Sequence, residues 1–492
     1  MKGNVKKIFA AVLALALVLS VAGCGGNKTG LDADGNYEVV WYNSEPPRPD
    51  HNLVYEELNK YTKEKIGVTV KYTPFTGSEY AEKMNLLFAS GEKIDMCFAS
   101  TGNKFQQNAR QSAYLDMGPL LDTVGKETKK LFPEYALDCY KVGGIQYGIP
   151  VLKDWAFQPV VGVELGKLNE LGIREEYEAA TKLSDFTALI EKARAVHPDW
   201  YGFVMRGNYN LMKFLPQETI DGSVVAGFTF DNYDKVVNIV ATDAFKELCQ
   251  LMREWYNAGY IPRDAETSTS SSDLYKLGNY LAGHAEWLPY TGIDIADDDP
   301  KKNIYNYNIT QPRMSTTQVT MCGLAMPTTC VNPERTMEFI NLIYNDEYVR
   351  NTIAYGIEGK HWVADGDNKW KLPEGIASKV DTGYSSSISV TGNRYILRTD
   401  PGVPEDIWEK YQQFNEDSIK SGAIGFSFDP QPVAGQIAAV NNVWSEYFRA
   451  LVVGAVDPEV KLPEFINKMN KVGAEEIIAE AQRQYDEWRK NK

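Results

Sequence analysis

Apolar and polar positions change their period several times along this chain, and each change marks an element. Past a small, polar stretch at residues 25–36, Tyr37-Glu38-Val39-Val40-Trp41-Tyr42 has the composition of a strand and runs into the turn Glu45-Pro46-Pro47-Arg48-Pro49. Val54, Leu58 and Tyr61 then recur at steps of four and three, which predicts one apolar helix face. Ile66-Gly67-Val68-Thr69-Val70 returns to strand chemistry. A second helix is expected over about 79–90, where Tyr80, Met84, Leu87 and Phe88 share a face that closes at Gly91. Ile94 to Ala99 reads as a buried strand. Strand, helix, strand, helix, strand is the pattern of a parallel α/β sheet with right-handed crossovers.

Further on, Gly143-Gly144-Ile145-Gln146-Tyr147-Gly148-Ile149-Pro150 reads as a tight hairpin leading into a crossing segment. Helices are expected near 184–196 and 243–258, a Ser/Thr-rich loop at 267–272, and a strand-like run from Leu281 to Tyr290. Gln318 to Pro327 is expected to be an apolar strand that crosses back, followed by helix at about 333–354. Near the C-terminus, Asp457-Pro458 supplies an N-cap with Pro at the first helical position. Ile478, Ala481, Tyr485 and Trp488 then mark one helix face.

The first residues follow a different rule. Lys2, Lys6 and Lys7 precede an apolar run from Ile8 through Val21, too short and poorly flanked for a stable span, which ends at Val21-Ala22-Gly23-Cys24. This looks like a bacterial lipobox, which implies cleavage after residue 23 and lipidation of Cys24. A plain secretory signal with an incidental Cys is the alternative. Residues 24–36 would then be a flexible tether.

Composition narrows the function classes. The chain has 492 residues, too many for one ordinary domain, and 51 Lys and Arg stand against 66 Asp and Glu. The leader takes three of those lysines with it, and no basic tract survives to neutralise phosphates, which argues against a nucleic-acid partner. Membrane attachment must then come from the acyl chains. Lipidating Cys24 leaves Cys97, Cys139, Cys249, Cys322 and Cys330, a poor disulfide framework. Cys322 and Cys330 could bridge across a turn, but buried free thiols are the main expectation. The 29 tyrosines are a surplus that suits amphipathic binding surfaces.

Catalytic sets are missing from the pattern. His51, His197, His284 and His361 form no metal-ligand pair at helical spacing, and no Ser sits in a G-x-S-x-G elbow. Gly356-Ile357-Glu358-Gly359-Lys360-His361 has the wrong spacing for a P-loop. Asp32-Ala33-Asp34-Gly35-Asn36 and Asp365-Gly366-Asp367-Asn368 lack the glycine and distal glutamate of a calcium loop and read as turns. The run Asp297-Asp298-Asp299 reads as a solvated loop. No metal and no cofactor is expected, whereas a glycosidase pair of carboxylates cannot be judged among 66 acids.

Several ordered pieces together resemble the extracellular solute-binding lipoproteins of ATP-driven importers, in the large Gram-positive branch related to the maltose-binding type. They are the Cys24 lipobox, Trp41-Tyr42-Asn43, Gly91-Glu92-Lys93-Ile94-Asp95, Tyr114-Leu115-Asp116 and Tyr147-Gly148-Ile149-Pro150, followed by Tyr355-Gly356-Ile357-Glu358-Gly359-Lys360 and the segment from Gly425-Phe426-Ser427-Phe428-Asp429 onward. The resemblance implies a two-lobe, periplasmic-binding-protein-like α/β fold of type II, with the ligand in a cleft between lobes joined by crossing segments. Expected lobe boundaries are 37–150 plus 318–400 for the first and 151–317 plus 401–492 for the second.

In such sheets ligands bind beyond the carboxyl ends of strands. That points to Asn43 and Glu45 after the first strand, and to Thr101 and Asn103 after the strand at 94–99. The opposite lobe would supply aromatic platforms: Trp155 beside Asp154, and Trp287 with Tyr290, where the family carries a stacking aromatic. Arg394 and Phe428 complete the expected ligand-binding set. Trp41 is read as core, and His361 as satisfying a buried hydrogen bond. The implied function is capture of a small polar solute, an oligosaccharide in the first instance, and its delivery to a membrane permease by a monomer tethered outside the cell. A peptide ligand, a lipid-anchored glycoside hydrolase and a surface adhesin are the alternatives.

Overall fold

The computed structural model describes residues 30–204, 211–267, 277–287, 303–306, 308–400 and 402–492. Cys24, the leader, most of the loop at 267–272, Asp297-Asp298-Asp299 and Tyr290 lie outside them. The chain forms two compact units. The first holds the residues up to Phe132, Gly143–Leu152 and Cys322–Arg398; the second holds Pro133–Val142, Lys153–Met321 and Thr399–Lys492. Segment 133–142 clusters with the second unit, not with the first as the sequence reading had it.

The first unit is built on a five-stranded sheet in the order Val68–Phe75, Tyr37–Ser44, Met96–Ala99, Gly323–Ala325, Ile149–Pro150. The first three strands are parallel, with Tyr37 opposite Val68 and Trp41 opposite Met96. Helices His51–Ile66 and Gly77–Ser90 supply the crossovers, and each ends on a left-handed glycine, Gly67 (φ 62°) and Gly91 (φ 69°). Val39 to Tyr42 are buried on both faces of their strand, the signature of a helix-covered parallel sheet. The remaining two pairings are antiparallel, because Gly323–Ala325 arrives from the second unit rather than through a helical crossover.

Three expectations differ from the structure. The apolar stretch 318–327 is not one strand: Thr316–Val319 is a helical turn boxed by Ser315 and Gln318, and only Gly323–Ala325 pairs. The helical stretch after 333 is two helices, Pro333–Asn345 and Glu347–Tyr355, broken at Asp346, whose carboxylate accepts the Val349 N–H at 3.0 Å. Ordered structure also begins before Tyr37. Asp32 Oδ1 accepts the N–H groups of Asp34 and Asn36, both at 2.9 Å, and Glu38 donates its N–H to the Gly30 carbonyl at 2.8 Å, so 30–36 is a folded turn.

The second unit carries a four-stranded sheet, Asn303–Asn306, Gln158–Glu164, Tyr280–Trp287, Tyr201–Val204, and a three-stranded meander, Gln217–Thr219, Ala226–Thr229, Asn232–Asn238. Its core gathers Phe186, Phe203, Phe228, Trp255, Phe465 and Tyr485. Three helices close the chain: Ala434–Val452, Pro458–Lys471 and Ala474–Lys490. Asp457 caps the middle one as read from sequence, accepting the Glu459 N–H at 3.0 Å. The last helix buries Ile477, Ala481 and Tyr485, with Ile478 and Trp488 packed partly buried beside them.

Cys97, Cys139, Cys249 and Cys330 are buried free thiols and Cys322 is a half-buried one, so Cys322 and Cys330 are not bridged. Among the described residues no helix is long and apolar enough to cross a membrane.

Candidate functional site

The parallel pairing of Tyr37–Ser44 with Met96–Ala99 sets their carboxyl ends along one edge of the first unit's sheet. Asn43 and Glu45 meet there through Tyr72, whose hydroxyl donates to Glu45 Oε1 and accepts from Asn43 Nδ2 at 3.2 Å. Glu45 is only 3% exposed; its Oε2 accepts the Ser386 hydroxyl at 2.7 Å and the Ser387 N–H at 3.4 Å. Asn43 Nδ2 also donates to Thr391 Oγ1 at 3.1 Å. Both side chains thus tie the 386–391 segment to the sheet edge. Thr101 and Asn103 sit half-buried on the next turn, where Ser100 Oγ accepts from Asn103 Nδ2 at 3.0 Å and Thr101 Oγ1 accepts from Gln106 Nε2 at 2.9 Å.

Other expected residues fall in packed surroundings. Arg394 is fully buried, with its N–H on the Leu152 carbonyl at 2.9 Å and Nη1 3.4 Å from Ser389 Oγ. His361 is a satisfied buried histidine: Nδ1 accepts the Ile357 N–H at 2.8 Å, and Nε2 lies 3.1 Å from Asp50 Oδ2. Trp41 is core, as read. In the second unit Trp155 is 4% exposed and packs edge-on to Tyr135, with ring centroids 6.5 Å apart. Asp154 is half-buried beside it. Phe428 is 3% exposed within the core cluster. Trp287 ends its strand opposite Gln158.

The structure places a set of residues together that no local sequence signal had marked. A cavity of about 530 Å3 in the second unit is lined by Phe157, Phe214, Phe230, Tyr233, Glu218 and Arg313, with Thr310, Gln311, Gln318 and Ser421 among its polar neighbours. Phe157 and Arg313 exchange backbone hydrogen bonds at 2.8 and 2.9 Å, which brings two distant segments to one wall. Glu218 lies on the first strand of the meander. Gly227 backs that strand, and a Cβ there would collide with the Glu218 carbonyl and with Ile239. Phe230 stands at the tight turn between the other two strands and donates its N–H to the Pro216 carbonyl at 2.9 Å. An aromatic in a polar hairpin tip, Thr229-Phe230-Asp231-Asn232, is the one signal that could have found it.

Electrostatics within the cavity are uneven. The Arg313 guanidinium carbon lies 3.5 Å from the Phe230 ring centroid, and Lys213 Nζ lies 4.3 Å from that of Phe157. Glu218 accepts from Ser421 Oγ at 2.5 Å and from the Tyr233 hydroxyl at 3.4 Å. Burial raises the Glu218 carboxyl above its ordinary range despite those bonds and the nearby Arg313 charge, and burial lowers Arg313. Aromatic faces beside a few convergent polar groups complement a pyranose ring, with its apolar C–H face and hydroxyl rim.

Comparison with known proteins agrees with this architecture. The chain matches the family described as bacterial extracellular solute-binding protein over residues 58–357, and a domain of unknown function over 422–490. A carbohydrate ABC transporter substrate-binding protein of Streptococcus pneumoniae is 28% identical over 506 residues, covering 100% of both chains. The crystal structure of the N-glycan transport solute binding protein NgtS from Streptococcus pneumoniae superposes with a TM-score of 0.77 at 23% identity, over 92% of this chain and 99% of that one. The S. pneumoniae substrate binding protein FusA in complex with kestose gives 0.64 at 16% identity, over 92% and 100%. These likenesses establish the periplasmic-binding-protein-like fold. With a family match that spans more than half its length, the chain belongs to the bacterial extracellular solute-binding proteins.

Proposed function

We propose that this chain is the solute-capturing component of an ATP-driven importer, that its solute is an oligosaccharide, and that it binds without transforming it. The observation that carries the reading is the second unit's cavity, where Phe157, Phe214, Phe230 and Tyr233 offer ring faces beside Glu218, Arg313, Gln311 and Ser421. Its volume, about 530 Å3, suits two or three sugar rings. The carbohydrate-transporter relative and the glycan-binding neighbours support the same solute class. Glycoside hydrolysis needs two carboxylates across the scissile bond, and Glu218 is the one acid lining the cavity among the described residues.

Thr101, Asn103 and Trp287 stay as proposed further contacts. Cys24 is the proposed lipid anchor, which would hold a monomer at the outer face of the membrane within reach of its permease.

Thermal-shift screening of the mature protein against oligosaccharides and peptides tests the reading, because a ligand stabilises the folded state it binds. Oligosaccharides are expected to raise the melting temperature while their chain length stays unchanged by chromatography. Shortened sugars would replace binding with hydrolysis, and shifts from peptides alone would replace the solute class.

A further inference from the structure

Arg313 has an unusual position for a half-buried cation. Among the described residues its guanidinium makes no hydrogen bond and no ion pair; it stacks on the face of Phe230, 3.5 Å from the centroid, with the Glu218 carboxyl and the Tyr233 hydroxyl near enough to act on its charge. Stacking fixes the plane of the group and leaves the edge donors available, since a ring face takes none of the five N–H bonds. A planar two-oxygen acceptor is the partner that such a fork binds through two parallel hydrogen bonds.

Around Arg313 the lining is aromatic and polar. Lys213 Nζ lies over the Phe157 ring, and Glu218, the single carboxylate lining the cavity among the described residues, accepts from Ser421 and Tyr233.

We infer that the oligosaccharide taken by this site carries a carboxylate, as in a uronic or sialic acid residue, with Arg313 as the residue that receives it. This rests on the oligosaccharide reading above and narrows it. The sugar's ring would lie along the aromatic wall, its carboxylate accepting two N–H bonds from Arg313 and its hydroxyls meeting Gln311 and Ser421.

Calorimetric titration of the mature protein with matched pairs decides the matter: trigalacturonate and 3′-sialyllactose, each against its methyl ester. Charged hydrogen bonds contribute enough for the better acid to bind at least about tenfold more tightly than its own ester. Added salt should weaken the acid and leave the ester nearly unchanged. Arg313→Gln should bring the acid-to-ester ratio close to one, and Arg313→Lys, which keeps charge but not the fork, should give an intermediate ratio. Circular dichroism confirms that both variants fold. Acids binding no more tightly than their esters would overturn the inference, while neutral oligosaccharides that bind would leave the broader reading standing. No binding by any sugar, charged or neutral, overturns both.

Discussion

Asn415 holds Trp155 by the backbone: its Oδ1 accepts the Trp155 N–H at 2.7 Å and the Ala156 N–H at 2.9 Å, while Nδ2 donates to the Lys153 carbonyl at 2.8 Å. One buried side chain on helix Ile407–Asp417 thus does for residues 153–156 what a neighbouring strand would do, and it sets the path that delivers Phe157 to the cavity wall. Asn415→Ala should leave two buried N–H groups unpaired and cost about 2–4 kcal/mol in urea unfolding. Asn415→Asp keeps the acceptor and loses the donor, so a smaller loss is expected. Equal losses for the two variants would mean that the acceptor pair is not what matters.

Phe230 and Phe228 are two residues apart on the same hairpin, but one lines the cavity and the other is core. Phe228→Ala should destabilise the fold by about 3–5 kcal/mol. Phe230→Ala should leave the melting temperature of the free protein nearly unchanged. It should weaken oligosaccharide binding roughly tenfold, through loss of a stacking face and of the surface that orients Arg313. The pair of measurements separates recognition from folding in one element.

His51 makes acid stability predictable. Burial, and after it the Arg48 charge, lowers its pKa to about 4, and Nδ1 accepts the Arg48 N–H at 2.8 Å, which requires the neutral ring. A folded-state pKa below the unfolded value of about 6.5 gives a stabilisation that is complete above that pH and is lost as pH falls toward 4. Melting temperatures from neutral pH down to about pH 4.5 should therefore fall, and His51→Gln should flatten the slope in that window. An unchanged slope in the variant would place the acid sensitivity elsewhere.

The cysteines give a clean labelling pattern. Burial pushes the Cys97, Cys139, Cys249 and Cys330 thiols up to about 12, so they stay protonated and shielded, whereas Cys322 is half-buried. A thiol reagent at neutral pH should modify Cys322 first and reach the other four upon unfolding. Cys322→Ser should remove the early phase; its persistence would mean that a core thiol is more accessible than its burial suggests.

Part of this protein is readable from sequence because it is written in local periods. The strands and helices from Tyr37 to Ala99, the glycine stops at Gly67 and Gly91, and the Asp457-Pro458 helix start depend on residues a few positions apart. The family resemblance likewise rests on short ordered pieces. The antiparallel pairing of Gly323–Ala325 was not readable in that way, since its partners lie more than a hundred residues away. Nor does sequence tell how a polar or aromatic side chain is used. Glu45 and Asn43 stand at a strand end suited to ligand, and tertiary contacts with Tyr72, Ser386 and Thr391 engage them inside the first unit. Phe428 likewise went to the core, while Phe230 came to line a cavity.

Sequence alone thus determined most of the elements and the family, which follow from short-range spacing and composition. Tertiary structure decided the cavity. Phe157, Glu218, Phe230, Arg313 and Ser421 come from separate segments, and only long-range pairing, such as the Phe157–Arg313 bridge, sets their ring faces and charges on one wall.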